Sequence, residues 1–171
     1  MTGTSRPLDG IRILDFSRVL AGPLSTALLA DLGAEVIKVE PPTGDDYRVI
    51  GPMKNGISSL FTALNRNKKS LVLDLKHADA VAVVHELARQ VDVVVENFKP
   101  GGLARFGLDY DTVAATNPRV VYASISGFGS GPFEPLLACG LLGSAAAAGS
   151  WQAAPMWPQV LLYHSDLRIV N

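Results

Sequence analysis

Cysteine is almost absent from this sequence, which has a single one, Cys139, among 171 residues. One cysteine excludes a disulfide framework within the chain and every metal site built from several cysteines. The three histidines are too scattered to supply a ligand set, so the sequence predicts no metal site. The N-terminus also lacks the apolar segment of a secretion signal. Together these absences predict a protein of the reducing cytoplasm.

Neither sign of charge is in excess, since 15 Lys and Arg residues oppose 16 Asp and Glu residues. This balance excludes the overall basic field that attracts nucleic acids or anionic membranes, and we expect neither as a partner. An uncharged stretch runs from Pro135 to Tyr163. Its glycines and prolines, with few large aliphatic residues, make it a poor membrane-spanning helix.

Apolar residues are abundant, at 48% of the chain with a mean hydropathy of +0.24, which is enough to bury the core of one domain. Short runs rich in Val, Ile and Leu recur along the chain and predict strands covered on both faces, as in a parallel sheet. The predicted strands are Ile11 to Phe16, Glu35 to Val39, Ser70 to Leu75, Val91 to Glu96 and Arg119 to Ser126.

Helical patterns separate these strands and predict crossover connections. The predicted helices are Pro23 to Leu32, Ala78 to Gln90 and Asp109 to Thr116. The first has proline in its opening turn and ends before Gly33, in the usual order of start and stop signals. The sequence therefore predicts an α/β fold with an open doubly wound, Rossmann-like parallel sheet and flanking helices. In such sheets, ligands bind outside the carboxyl ends of the strands.

A dinucleotide is one candidate ligand, because Glu40 ends the second predicted strand, where a ribose-binding acid would lie. However, the first strand turn, DFSRVLAGP, has one glycine and lacks the Gly-x-Gly-x-x-Gly fingerprint. The chain also has no Gly-Lys-Ser or Gly-Lys-Thr phosphate loop.

Cations near predicted strand ends indicate a different anionic ligand. They are Arg18, Arg66, Lys68, Lys69, Lys76, Lys99 and Arg105. Each alone is typical of a solvated surface charge, and only their predicted clustering favours a site. The segment VENFKPGGLARFGL adds an amide and an aromatic ring at one strand end. Asn97 there is either a ligand contact or a turn residue before Pro100, and Phe98 either a contact or a core aromatic.

A second loop, SISGFGSGP, follows the fifth predicted strand and contains Gly127, Gly129 and Gly131. Glycines at such a strand end let the backbone adopt positive φ and approach a ligand closely. A tight turn from strand to helix explains the same residues equally well.

Five segments in chain order resemble the signature segments of the class III coenzyme A transferases. This CaiB/BaiF-like family includes formyl-CoA transferase, carnitine CoA-transferase and 2-methylacyl-CoA racemase. The segments are PLDGIRILDFSRVLAGP, LLADLGAEVIKVEPPTGDDYR, LNRNKKSLVLDLK, VDVVVENFKPGGLARFGLDYDTV and NPRVVYASISGFGSGP. The resemblance implies that residues 1–132 are an incomplete portion of the family's Rossmann-like domain, and that residues 133–171 are a divergent apolar C-terminal segment. It also implies an interlocked homodimer for the full-length family.

The same resemblance implies coenzyme A or an acyl-CoA as substrate, with a carboxylic acid as the second substrate and no permanently bound cofactor. The positions that match the family's coenzyme A contacts are Val19, Leu73, Lys76, Asn97, Phe98 and Arg105. Cationic side chains suit the phosphates of coenzyme A, and an aromatic ring suits its adenine or pantetheine.

Catalysis in the family implies an aspartate that attacks the acyl-CoA thioester and forms an acyl-aspartyl anhydride. Asp166 is the candidate nucleophile here, although the family's Asp-x-x-x-Gly context is not kept, because residue 170 is Val. His164 is a candidate base beside it. Two alternatives stay open: a 2-methylacyl-CoA racemase, whose Gly-His-Asp element the sequence lacks, and a truncated, non-catalytic fragment that binds coenzyme A.

Overall fold

The structure is a computed structural model that describes residues 5–99, 101–126, 159–164 and 167–169, the last two ranges as strand backbone only. The strands are β1 Arg12–Asp15, β2 Glu35–Glu40, β3 Met53–Lys54, β4 Ile57–Ser58, β5 Lys68–Val72, β6 Val93–Glu96, β7 Val121–Ser126, β8 Gln159–His164 and β9 Leu167–Ile169. The helices are α1 Ala21–Asp31, α2 Ser59–Leu64, α3 Ala78–Ala88 and α4 Tyr110–Thr116. Short 3₁₀ turns lie at Asp46–Arg48 and Ala104–Phe106.

The main sheet of the described residues has the strand order β5-β2-β1-β6-β7-β8-β9. The first five strands in that order are parallel, and β8 and β9 add antiparallel pairings beyond β7. The predicted doubly wound α/β fold is confirmed. The chain moves outward from β1 to β2 and β5, then returns to place β6 on the other side of β1. The gap between the carboxyl ends of β1 and β6 is therefore the topological switch point, where ligands of such sheets bind.

The two faces of the sheet are built differently. On one face α1 contributes Ala30 to a small apolar cluster with Ile13 and Val36, and buried charged groups lie above that cluster toward the strands' carboxyl ends. On the other face α3 and α4 cover a larger apolar cluster that includes Leu14 and Val84. Since successive residues of a strand point to opposite faces, the same strands supply both layers.

The three predicted helices, α1, α3 and α4, begin and end within two residues of their predicted bounds, a normal uncertainty for helix ends. Asp109 caps α4, and its carboxylate accepts hydrogen bonds from the Thr112 amide at 3.1 Å and the Thr112 hydroxyl at 2.9 Å. Within the described ranges, no helix is both long and apolar enough to cross a membrane.

The predicted third strand, Ser70 to Leu75, was placed too late along the chain. The strand runs from Lys68 to Val72, because β5 pairs with β2 from Val36 onward. It is also an edge strand with three exposed positions, rather than one covered on both faces. Leu73 and Leu75 made the run look longer, but both lie beyond the strand and pack against the larger apolar cluster.

A hairpin and a helix between β2 and β5 were not predicted. Strands β3 and β4 pair around Asn55 and Gly56, whose φ angles of 53° and 77° are those of a tight hairpin turn. The Asn-Gly dipeptide is the signal that should have identified this turn. Ser58 then caps α2 by accepting a hydrogen bond from the Phe61 amide at 3.2 Å.

Candidate functional site

The candidate site is built at the switch point from the loop after β1 and the residue after β6. The Asn97 side chain bonds the backbone of Arg18 in both directions. Its Oδ1 accepts from the Arg18 amide at 2.9 Å, and its Nδ2 donates to the Arg18 carbonyl at 2.8 Å. The two strand ends that flank the crevice are thus joined by one side-chain amide.

The next residue of the same loop has an unusual backbone. Val19 has a φ of 72°, a left-handed conformation that is rare for a β-branched residue. Its amide points at both carboxylate oxygens of Asp45, 3.3 Å from each. Backbone strain of this kind persists where the surrounding structure holds it in place, and it is concentrated at functional sites.

Buried charges lie beneath this loop. The Lys38 ammonium donates to Asp45 Oδ2 at 2.9 Å and to the Ser17 carbonyl at 2.8 Å. The side chains of Lys38 and Asp45 are 2% and 0% exposed, so each charge depends on the other for compensation. Neither residue stood out in the sequence, because Lys38 lies in a strand and Asp45 in a polar turn.

A second buried pair supports the start of α1. The Lys68 ammonium donates to Asp15 Oδ2 at 3.0 Å and to the Pro23 carbonyl at 2.9 Å. Asp15 also accepts from the Thr26 hydroxyl at 2.7 Å. Burial lowers the pKa of Lys68, and the charge of Asp15 opposes that effect in part. Lys68 is therefore an internal support of the fold, and its grouping with surface cations was wrong.

Other predicted cations are occupied by neighbouring acids. Arg66 pairs with Asp31 at 2.5 Å, and Lys69 pairs with Glu35 at 2.5 Å. Since both begin or precede β5, they lie at the amino end of the sheet rather than at the ligand-binding end. The predicted cluster of seven cations is thus reduced to those on the carboxyl-end connections.

Glu40 is not free to bind a ribose. The Arg48 guanidinium donates to its two carboxylate oxygens at 2.7 Å each, and the Ser70 hydroxyl donates at 3.1 Å. Burial alone would raise the pKa of Glu40, but the hydrogen bonds and charge of Arg48 hold it below its usual range. The acid that suggested a dinucleotide is a structural anchor for the segment after β2.

The remaining predicted contacts also lie on carboxyl-end connections. Leu73 and Phe98 are partly buried and pack against the same apolar cluster. Lys76 is exposed on the connection from β5 to α3, and Arg105 is exposed on the connection from β6 to α4. The guanidinium carbon of Arg105 is 4.5 Å from the centre of the Phe106 ring. Two exposed cations, an aromatic ring and an aliphatic side chain thus border one end of the sheet.

Glu96, the last residue of β6, is a further polar group that sequence reasoning treated only as the end of a strand. Its Oε2 accepts from the Phe98 amide at 2.6 Å, and its Oε1 accepts from the Ser124 hydroxyl on β7. Burial raises the pKa of Glu96, and these two donors act in the opposite direction. The carboxyl group fixes the start of the loop that carries Phe98.

Several predicted groups lie outside the described residues. They are Asp166, the side chain of His164, and the glycines Gly127, Gly129 and Gly131. Among the residues that are described, no group of three or more His, Cys, Asp or Glu side chains could hold a metal ion.

Comparison with known proteins identifies the family of this chain. The family model described as CoA-transferase family III matches residues 8–160. The chain is 47% identical to a succinate–glutarate CoA-transferase of Agrobacterium fabrum, over 78% of this chain and 36% of that protein. It is 48% identical to a formyl-CoA:oxalate CoA-transferase of Streptomyces coelicolor, over 76% of this chain and 32% of that protein.

Solved structures agree. A CAIB/BAIF family protein from Brucella suis is 44% identical with a TM-score of 0.74, over 78% of this chain and 37% of that one. The protein Rv3272 of Mycobacterium tuberculosis is 36% identical with a TM-score of 0.77, over 96% of this chain and 46% of that one. The fold is the α/β fold of these CAIB/BAIF family structures. The chain belongs to CoA-transferase family III, and it spans about a third of the length of the curated relatives it matches.

Proposed function

We propose that this chain supplies the coenzyme A-binding part of a CoA-transferase, which moves coenzyme A from an acyl-CoA donor to a carboxylic acid acceptor. The observation that carries the proposal is the pairing of Asn97 with the Arg18 backbone across the switch point. Ligands of open α/β sheets bind in the crevice at this position. Family membership supplies the class of ligand, a nucleotide thiol carrier.

The groups around the crevice suit the parts of coenzyme A. Lys76 and Arg105 are exposed cations that can pair with its 3'-phosphate and pyrophosphate. Phe98 and Leu73 offer apolar surface to the pantetheine or the adenine, and the Val19 loop borders the same crevice. Loss of both cations should therefore weaken binding without loosening the core.

For the transfer itself we propose the aspartyl-anhydride route, with Asp166 as nucleophile. A carboxylate oxygen of Asp166 attacks the thioester carbonyl of the donor, the C–S bond breaks, and the coenzyme A thiolate leaves. The thiolate then attacks the aspartyl carbonyl of the anhydride, which releases the donor acid and leaves an aspartyl thioester. The acceptor carboxylate repeats the two steps in reverse order. Each intermediate preserves the free energy of the thioester.

The acceptor we propose is a small dicarboxylic acid. The relatives at 47% and 48% identity are named for succinate with glutarate and for formyl-CoA with oxalate. From the family resemblance we also propose an interlocked homodimer for the full-length protein. The single cysteine suits a reducing compartment, and we propose the cytoplasm.

Titration calorimetry with coenzyme A tests the binding part. We expect the double change Lys76→Ala with Arg105→Ala to weaken binding at least about tenfold, as expected for two charge-assisted contacts. Arg89→Ala is the matched control, since Arg89 is an exposed cation beyond the end of α3, at the amino end of β6. Equal affinities for the double variant and wild type would rule out these cations as phosphate contacts.

Incubation with succinyl-CoA and either glutarate or oxalate tests the transfer. We expect a new acyl-CoA, and an enzyme-bound intermediate that hydroxylamine traps. Asp166→Asn should abolish both while coenzyme A binding persists. Binding without exchange would instead support the second candidate, a coenzyme A-binding chain without turnover, which the partial span relative to the relatives favours. Deuterium wash-in at the α-carbon of a 2-methylacyl-CoA would indicate racemase chemistry.

A further inference from the structure

The loop after β1 is anchored at three consecutive residues by three different parts of the chain. The Ser17 amide and hydroxyl donate to Asp15, and the Ser17 carbonyl accepts from Lys38. Arg18 is bonded at both backbone groups by Asn97, and the Val19 amide is bonded by Asp45. A loop held at every residue is far more constrained than a surface connection needs to be.

The constraint has a visible effect on the backbone. Val19 keeps its φ of 72° although a β-branched side chain disfavours the left-handed region. The Arg18 carbonyl and the Val19 amide belong to one planar peptide group, which Asn97 bonds at the carbonyl and Asp45 bonds at the amide. The neighbouring hydrogen bonds thus hold the chain in a conformation that is unfavourable for valine by itself.

Asn97 itself faces the loop, because the two ends of its side-chain amide are both bonded to Arg18. That Asn97 also contacts coenzyme A directly stays a prediction. Asp45 is likewise turned inward: it is 2% exposed, and its carboxylate also binds Lys38 and accepts from the Tyr47 amide at 3.0 Å.

We propose that Asn97 and Asp45 are positioning residues for coenzyme A. They hold the Arg18–Val19 peptide group, and with it the left-handed conformation of Val19, in the arrangement that shapes one wall of the switch-point crevice. The inference rests on the proposed function, because it assigns these residues a role in that same site.

The test compares Asn97→Ala with Asn117→Ala. Asn117 is a close match: it is also a partly buried asparagine whose amide bonds the backbone twice, to the carbonyls of Ala88 at 2.9 Å and Val91 at 2.8 Å. It lies at the opposite end of the sheet, between the end of α3 and the start of β6. Both changes should lower stability by a similar amount, because each removes two hydrogen bonds to backbone.

Amide hydrogen exchange at Val19, measured by NMR, reports the loop without any ligand. The Val19 amide bonds Asp45 rather than Asn97, so a faster exchange in Asn97→Ala means that the loop conformation itself has loosened. We expect an increase of at least about tenfold in Asn97→Ala, the equivalent of one or two net hydrogen bonds, and little change in Asn117→Ala. Asn97→Asp, which keeps the acceptor for the Arg18 amide and is nearly isosteric, should lie between them.

Calorimetry with coenzyme A on the same variants completes the test. Asn97→Ala should weaken binding by about tenfold, and Asn117→Ala should leave it near wild type. Unchanged Val19 exchange in Asn97→Ala would overturn the inference, and so would a loosened loop with unaltered affinity. If wild type fails to bind coenzyme A, the proposed function fails and takes the ligand part of the inference with it, whereas the exchange data still decide whether Asn97 holds the loop.

Discussion

The two faces of the sheet are stabilised by different interactions, although the same strands supply both. The face under α3 and α4 is an apolar layer in which Leu14, Val84 and Leu108 are fully buried. The face toward α1 becomes ionic near the carboxyl ends, where the pairs Lys38–Asp45 and Lys68–Asp15 are enclosed.

The two faces have different roles, because the apolar layer stabilises the fold and the ionic groups shape the candidate site. Apolar contacts are non-directional and tolerate small shifts, so they suit a layer that only has to exclude water. Buried ion pairs contribute less net stability, because desolvation offsets their attraction, but they fix the direction of each partner. On the α1 face that direction is imposed on the loop from Ser17 to Leu20.

The largest expected effect is from breaking a buried pair on the ionic face. Lys38→Ala leaves the Asp45 carboxylate enclosed without its cation and should lower the free energy of unfolding by about 3 to 5 kcal/mol. Urea denaturation measures the loss. Lys69→Ala, which removes a 70% exposed ammonium from an ion pair on the neighbouring strand, should cost about 1 kcal/mol or less. Similar losses in the two variants would contradict the ionic description of this face.

Truncation on the apolar face should have a comparable or slightly smaller effect. Leu14→Ala removes a fully buried side chain from the larger cluster and should cost about 2 to 5 kcal/mol. Val83→Ala, at a position of α3 that is 47% exposed, should change stability little. Because Leu14 points away from the loop, Leu14→Ala should leave Val19 amide exchange by local opening unaltered. A loosened loop would mean that the faces are not independent.

A smaller effect is expected where helix α1 meets the ionic face. A Cβ added at Gly22 would lie 2.2 Å from Ser17 Cβ, closer than any real contact. Gly22→Ala should therefore displace Ser17 and cost about 1 to 3 kcal/mol, even though alanine favours helices. Ser25→Ala, an exposed change on the same helix, serves as control. If the two variants have the same thermal stability, α1 does not pack as closely on this loop as described.

The smallest effect concerns Glu96, a buried carboxyl group on the apolar face. The pKa of Glu96 is raised by burial, so the folded protein holds this proton more tightly than the unfolded chain does. Stability from this group is therefore complete below the ordinary glutamate pKa and is lost as pH rises through the raised value. Glu96→Gln should remove this dependence of the free energy of unfolding on pH, whereas exposed Glu86→Gln should leave it unchanged. A wild-type profile that rises with pH relative to Glu96→Gln would reverse the assignment.

Much of the fold was predictable from the sequence, because buried parallel strands need long apolar runs and crossover helices need caps and stops. The error at Ser70 to Leu75 shows the limit of that reasoning. An apolar run indicates burial, and Leu73 and Leu75 are partly buried by packing on a neighbouring cluster rather than by strand pairing.

The position of Asn97 and Phe98 at a strand end was predictable, but the contacts that support the loop after β1 were not. Asn97 and Phe98 stood out because an amide and a ring interrupt the end of a buried strand. Lys38 did not stand out, and Lys68 was grouped with surface cations, since a lysine in a sequence is normally a solvated charge and only the tertiary structure provides the acid that lets it be buried. The left-handed φ of Val19 could not be predicted either, because no local signal favours it.

The bond between Asn97 and Arg18 also has a consequence for folding, because it joins distant parts of the chain. The two residues are 79 positions apart, so the loop cannot settle until β6 has docked beside β1. Contacts that close such long loops form late, after the entropy of closure has been overcome. We expect β1, β2 and β5 to assemble before the loop after β1 takes its final conformation. The switch point would then form only when β6 pairs with β1.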